Sequence, residues 1–163
     1  MERLILLRHG KAEPGAPSGE DFDRALTERG RRDAALVAGA LARAGFGPDI
    51  ALVSPAARAR ATWEAMAPWF PLAKLILVPA LYNAGPETLL AEAETKSAGR
   101  KAVMVVAHNP GLHQLCFTLA QSAKDAEERG RLNGGFPTGA AAAFEFHTGR
   151  FKYFTPKSLG GGA

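Results

Sequence analysis

Short apolar runs separated by stretches of helical periodicity constrain this chain more than any other feature. Leu4-Ile5-Leu6-Leu7, Ile50-Ala51-Leu52-Val53, Leu75-Ile76-Leu77-Val78 and Ala102 to Ala107 contain no alternating polar positions. Such runs suit strands buried on both faces. The segments between them read as helices. Thr27 can cap one that continues through Ala34, Val37, Ala38 and Leu41 and stops near Gly45 or Gly47. Ala56 to Ala67 is rich in helix formers up to Pro68, and Gly85-Pro86-Glu87 places proline and an acid in a first helical turn. Asn109-Pro110-Gly111 opens a helix through Leu112, Leu115, Cys116 and Leu119, with a polar tail towards Arg131. Parallel strands need crossover connections, so this alternation predicts an α/β fold: a three-layer, doubly wound, mainly parallel sheet with helices on both faces.

The C-terminal part follows another pattern. Phe144 and Phe146 alternate with Glu145 and His147, and Gly149 separates them from Phe151 and Tyr153. This pattern predicts an antiparallel hairpin at one sheet edge. The length of 163 residues suits one domain over residues 1–156, with a flexible tail over 157–163 in which Gly160 to Gly162 fray. Lys11 to Asp23, with Pro14, Gly15, Pro17, Ser18 and Gly19, reads as a loop.

The formal charge of +4 favours anionic partners, but the basic residues are scattered, which argues against a nucleic-acid surface. The N-terminal apolar run is too short for a signal peptide, and no stretch approaches the roughly 20 apolar residues of a membrane span. A lone Cys116 among Leu115 and Phe117 cannot form an internal disulfide and reads as a small packed hydrophobe. Together these features predict a cytoplasmic protein that does not engage a membrane.

Three polar clusters stand where predicted strands end: Arg8-His9-Gly10, Ser54 with Arg58, and His108-Asn109. In open α/β sheets ligands bind beyond the carboxyl ends of the strands, so these clusters should converge on one rim. Guanidinium forks grip phosphate or carboxylate oxygens bidentately. A neutral imidazole beside them can attack phosphorus, while Arg8, Arg58 and a protonated His108 stabilise the charge on the transferring group. Gly10 should let the backbone turn sharply after His9. Because neighbouring strand residues point to opposite faces, Arg8 and His9 could share a pocket only if Arg8-His9-Gly10 is a bend rather than strand. Arg60 reads as surface, His147 as exposed, and Trp63, Trp69 and Phe70 as packing residues. His113 lies five residues after His108, which is not the i, i+4 spacing of paired metal ligands.

Leu7-Arg8-His9-Gly10 after an apolar strand resembles the signature of the histidine phosphatase superfamily, also called phosphoglycerate-mutase-like. Asp23-Arg24-Ala25-Leu26-Thr27-Glu28-Arg29-Gly30, Ser54 to Thr62, Val106-Ala107-His108-Asn109-Pro110-Gly111 and Phe136-Pro137-Thr138-Gly139 resemble its small SixA-type branch of phosphohistidine phosphatases. The resemblance covers nearly the whole chain. It implies His9 as phosphorylated nucleophile, Arg8 and Arg58 as phosphate clamps and His108 as second pocket histidine, with Gly10, Arg24 and Asn109 at the phosphate pocket. Larger members use an acid on a separate insertion to protonate the leaving group. Glu87 is the first candidate for that acid here, with Glu13 and Asp23 as others. The resemblance further implies chemistry without metal or cofactor on a phosphohistidine-bearing protein or a small phosphorylated molecule. A protein that binds phosphate without hydrolysing it is the alternative from another class.

Overall fold

The computed structural model describes residues 1–162. Six strands form one sheet in the order β3-β2-β4-β1-β5-β6. These are β1 (Arg3–Arg8), β2 (Ile50–Val53), β3 (Lys74–Leu77), β4 (Ala102–Ala107), β5 (Ala141–Glu145) and β6 (Arg150–Phe154). The first four are parallel, β5 runs antiparallel to β1, and β6 closes the edge as a hairpin with β5. The architecture is therefore the α/β one that the apolar runs predict. The helices are α1 (Glu28–Arg43), α2 (Ala57–Met66), α3 (Pro86–Lys96), α4 (Gly111–Ala120) and α5 (Ala126–Arg131).

Alternation along β1 divides the core in two. Ile5 and Leu7 pack with Val37, Leu41, Trp63 and Met66 from α1 and α2. Leu4 and Leu6 face the opposite layer, with Leu89 of α3 and Leu112 and Leu115 of α4. All four β1 side chains are fully buried, which is why their sequence is apolar without interruption.

Several elements differ from their sequence readings. The helix after Pro110 ends at Ala120, and α5 begins anew after Asp125, whose carboxylate accepts from Glu128 N–H and so caps a separate element. Strand β5 is Ala141–Glu145, which starts earlier than the Phe144 to His147 alternation predicts and includes alanines that favour helix on propensity. Pairing with both β1 and β6 overrides that preference. Phe146 and His147 fall in the turn that follows, and His147 is exposed as expected. β3 is shifted by one residue and lies at the sheet edge, with Leu75, Ile76 and Leu77 exposed and Val78 buried instead. Residues 157–162 fold back towards α1. Lys157–Leu159 makes a 3-10 turn, and Gly162 N–H donates to Asp33 on α1 at 3.0 Å, which anchors the segment. Ala163, the last position of the predicted tail, lies outside the described residues.

Candidate active site

His9, Arg58 and His108 meet at the carboxyl end of β1, β2 and β4, and all three are buried despite their polarity, at 6, 3 and 4 % exposure. β1 delivers His9 one residue past its end, β4 delivers His108 in the same way, and α2 carries Arg58 in its first turn. The register explains the meeting: β1 and β4 pair in parallel up to Arg8 and Ala107, so the next residues emerge side by side. Their imidazole centroids lie 5.2 Å apart.

Arginine can only donate hydrogen bonds, and this assigns both imidazole tautomers. Arg58 Nε donates to His9 Nε2 at 3.3 Å, so that nitrogen carries a lone pair, while Nδ1–H donates to the Gly10 carbonyl at 2.8 Å. Arg58 Nη2 likewise faces His108 Nδ1 at 3.3 Å, leaving Nε2–H to donate to Ser54 Oγ at 2.7 Å. Each ring thus turns an unprotonated nitrogen towards one guanidinium. Burial holds His9 down to about 4; the Gly10 carbonyl opposes this shift, and the charges of Arg58, Arg8 and Arg24 add to it. His108 is held to about 3, again by burial first and then by His9 and Arg58. For the protein alone this disfavours the protonated His108 of the sequence reading: burial first, and then the neighbouring groups, make a positive charge there unfavourable.

Arg8 requires no bend. It is the last residue of β1, and its alternation is kept: its guanidinium leans to the α3–α4 side and donates to the Phe136 carbonyl at 3.0 Å. His9 turns the other way, to Arg58 on α2. The site straddles the carboxyl end of the sheet, so opposite facing is what places the two groups on its two flanks. Gly139 N–H donates to the carbonyls of both Arg8 and His9, at 3.1 and 3.0 Å.

The need for Gly10 also differs from the expectation. A Cβ there would lie 2.7 Å from the Gly30 carbonyl oxygen, and one on Gly30 would lie 2.4 Å from that of Lys11. Both glycines permit a close approach between the segment after β1 and the start of α1. Thr62 Oγ1, one turn beyond Arg58, accepts from Gly10 N–H at 2.9 Å and donates to the Arg58 carbonyl at 2.7 Å. Asn109 donates to the Phe136 carbonyl, bracing the same segment as Arg8, and its buried Oδ1 has no partner among the described residues.

Asp21 is the acid brought to this site, and sequence reading missed it. Arg58 donates to its carbonyl at 2.8 Å and to its Oδ2 at 3.0 Å; Tyr82 O–H donates to Oδ2 at 2.7 Å; Arg24 Nε donates to Oδ1 at 2.9 Å. The Tyr82 hydroxyl first, and then Arg58 and Arg24, pull its carboxyl down to about 2. Arg24 thus joins this network through Asp21 and also donates to the Glu13 carbonyl. Glu87 is exposed in the first turn of α3, and Asp23 pairs with Ser18, so neither carboxylate joins the centre among the described contacts. The only signal in the sequence was the acidic density of Glu20-Asp21-Phe22-Asp23, which does not single out one residue. Tyr82 gave no signal. The loop reaches the site because its ends are clamped by an Ala12–Leu26 bridge and by Thr27 N–H donating to the Lys11 carbonyl.

His113 faces the Leu132 carbonyl, away from this cluster. Cys116 is buried, and its burial raises the thiol to about 12, in keeping with a packing role. Trp63 and Phe70 stack in the core, while Trp69 is half exposed. Among the described residues no group of three or more His, Cys, Asp or Glu side chains could hold a metal ion, and no helix is long and apolar enough to cross a membrane.

The chain matches known proteins over most of its length. The profile of the histidine phosphatase superfamily, branch 1, matches residues 4–83. An uncharacterised protein of Mycobacterium tuberculosis is 34 % identical over 138 residues, covering 83 % of this chain and 84 % of its own. A crystal structure from Agrobacterium tumefaciens, assigned as the phosphohistidine phosphatase SixA, superposes with a TM-score of 0.79 at 32 % identity, covering 95 % of this chain and 98 % of that one. A SixA structure with tungstate, at 24 % identity and a TM-score of 0.70, covers 96 % of this chain and 99 % of that one and shares the fold. The same phosphoglycerate-mutase-like architecture, the matching N-terminal half and relatives aligned nearly end to end all agree: this chain belongs to the histidine phosphatase superfamily.

Proposed function

We propose that this protein is a metal-independent phosphatase that hydrolyses phosphohistidine or phosphomonoesters through a covalent phosphohistidine on His9, acting on a phosphorylated protein. The observation that carries the proposal is the state of His9: Nδ1–H is tied to a carbonyl, and the lone pair on Nε2 points at the buried Arg58. A phosphoryl group entering between them would meet a nucleophile on one side and cations on the other.

In the first step Nε2 attacks phosphorus in line as the bond to the leaving group breaks, and the leaving group takes its proton from solvent. Arg58 and Arg8 neutralise the equatorial oxygens. His108, neutral beforehand, gains a reason to take a proton once a phosphoryl dianion faces its Nδ1. In the second step water attacks the phosphorus on His9, the N–P bond breaks, and phosphate leaves with the Nε2 lone pair restored. Asp21 is ionised above about pH 2. It therefore cannot donate a proton to a leaving group near neutrality, and the proton released by the attacking water passes to solvent. Phosphohistidine has the better leaving group, which supports it over an alkyl phosphate as substrate. The short connection from β3 to α3 supplies no enclosing insertion, which supports an open rim reached by a protein-borne group. Free Cys116 suits the reducing cytoplasm proposed as its setting.

Incubation with an aryl phosphate should trap an acid-labile phosphoprotein in the intact chain. His9→Ala should abolish both label and turnover, and excess chelator should leave turnover unchanged. Retained activity in His9→Ala, or chelator sensitivity, would overturn the reading. Comparing rates on a phosphohistidine-bearing protein with rates on sugar and nucleotide phosphates settles the substrate class.

A further inference from the structure

A cavity of about 440 Å³ lies outside the catalytic rim, on the other side of the segment from Gly134 to Thr138. Its charged lining is entirely cationic: Arg29 from the first turns of α1, Arg131 from the end of α5 and Lys157 from the turn after β6. The acids associated with it stand behind these cations. Asp33 lies 3.5 Å from Arg29 Nε, and Glu128 lies 3.2 Å from Arg131 Nη1. Arg29 Nε is buried without a hydrogen-bond partner, and Lys157 has no carboxylate within 4.0 Å among the described residues. Pro137 and Pro156 add apolar wall, and Thr138 adds a hydroxyl.

We infer that this cavity is a second anion-binding site, taking a small molecule that carries a phosphate group. Arg29 and Lys157 grip the phosphate, since Arg131 is already engaged by Glu128 and by the Tyr153 carbonyl. The volume exceeds what one phosphate fills, so an organic portion lies against the two prolines. The site is separate from the catalytic centre but shares a wall with it. Phe136 accepts from Arg8 and Asn109, and Gly139 donates to Arg8 and His9, while Pro137 and Thr138 between them line the cavity.

Titration calorimetry of the full chain with inorganic phosphate at low salt tests the assignment. Two phosphates should bind, one in the catalytic centre and one in the cavity. The pair Arg29→Ala and Lys157→Ala should weaken one site at least tenfold and keep turnover of an aryl phosphate within about twofold, whereas Arg58→Ala should remove the other site and leave the cavity site in place. A single phosphate on the intact chain, or two on the double variant, would overturn the inference. If the double variant does not fold, Lys157→Ala alone, on an exposed turn, should still weaken the cavity site severalfold, and unchanged binding there would overturn it equally. An intact chain that binds two phosphates but turns over no aryl phosphate would sink the phosphatase reading and leave this one standing.

Discussion

The proposed catalytic rim and the basic cavity place similar side chains in different surroundings. At the rim, Arg58 is 3 % exposed and is held by His9, His108 and Asp21 together. At the cavity, the Arg29 and Arg131 side chains are 41 and 35 % exposed, and acids behind them balance their charge. Burial makes the difference. A buried guanidinium with fixed partners stabilises a developing charge without reorganising, and it depresses the basicity of the imidazoles beside it. An exposed one, screened by water, can attract an anion but does little to shift a neighbour's proton equilibrium.

The sharpest way to break the comparison is to keep the charge at the rim and lose its geometry. Arg58→Lys should lower kcat/KM by roughly 10²–10³-fold, because an ammonium cannot face His9, His108 and Asp21 at once. Steady-state rates on an aryl phosphate measure this; a loss below about tenfold would show that charge alone suffices.

Acid stability gives the next effect. His9 and His108 are held at about 4 and about 3, against an ordinary value near 6.5. Between those limits the unfolded chain binds protons that the folded one excludes. Stability is therefore full above about pH 6.5 and falls as pH drops, by up to about 1.4 kcal/mol per pH unit for each histidine. The contribution of Asp21 is lost only at lower pH, as pH falls through the ordinary carboxylate value towards about 2. Urea unfolding of the intact chain and of His108→Asn at pH 7, 6 and 5 checks the sign and the slope, which the variant should make shallower.

Asp21→Asn probes the one exposed member of the rim network. It keeps an acceptor for Tyr82 but removes the charge that orients Arg58 and Arg24, and kcat/KM should fall by about tenfold. A rise in kcat/KM would mean that the carboxylate competes with phosphate for Arg58. The smallest effect is expected from Glu87→Gln. Its exposed position in the first turn of α3 predicts rates within about twofold of the parent, and a larger loss would restore Glu87 as the leaving-group acid.

The parallel strands, the cap at Thr27 and the convergence of His9, Arg58 and His108 were legible in the chain because each has a local signature. Uninterrupted apolar runs mark buried strands, and polar residues directly after them mark the ligand end of a parallel sheet. The alanine run of β5, the break between α4 and α5 and the docking of residues 157–162 on Asp33 were not legible. Each depends on a partner distant in sequence that overrides a local preference. The same holds at the site. Residue types and order identified the nucleophile candidate and the cations around it. Only packing chose Asp21 over Glu87, recruited Tyr82 and required glycine at positions 10 and 30 through a close approach of backbones. Chemical type is carried by each residue alone, whereas hydrogen-bond partner, burial and lowered basicity arise between residues that only the folded chain brings together.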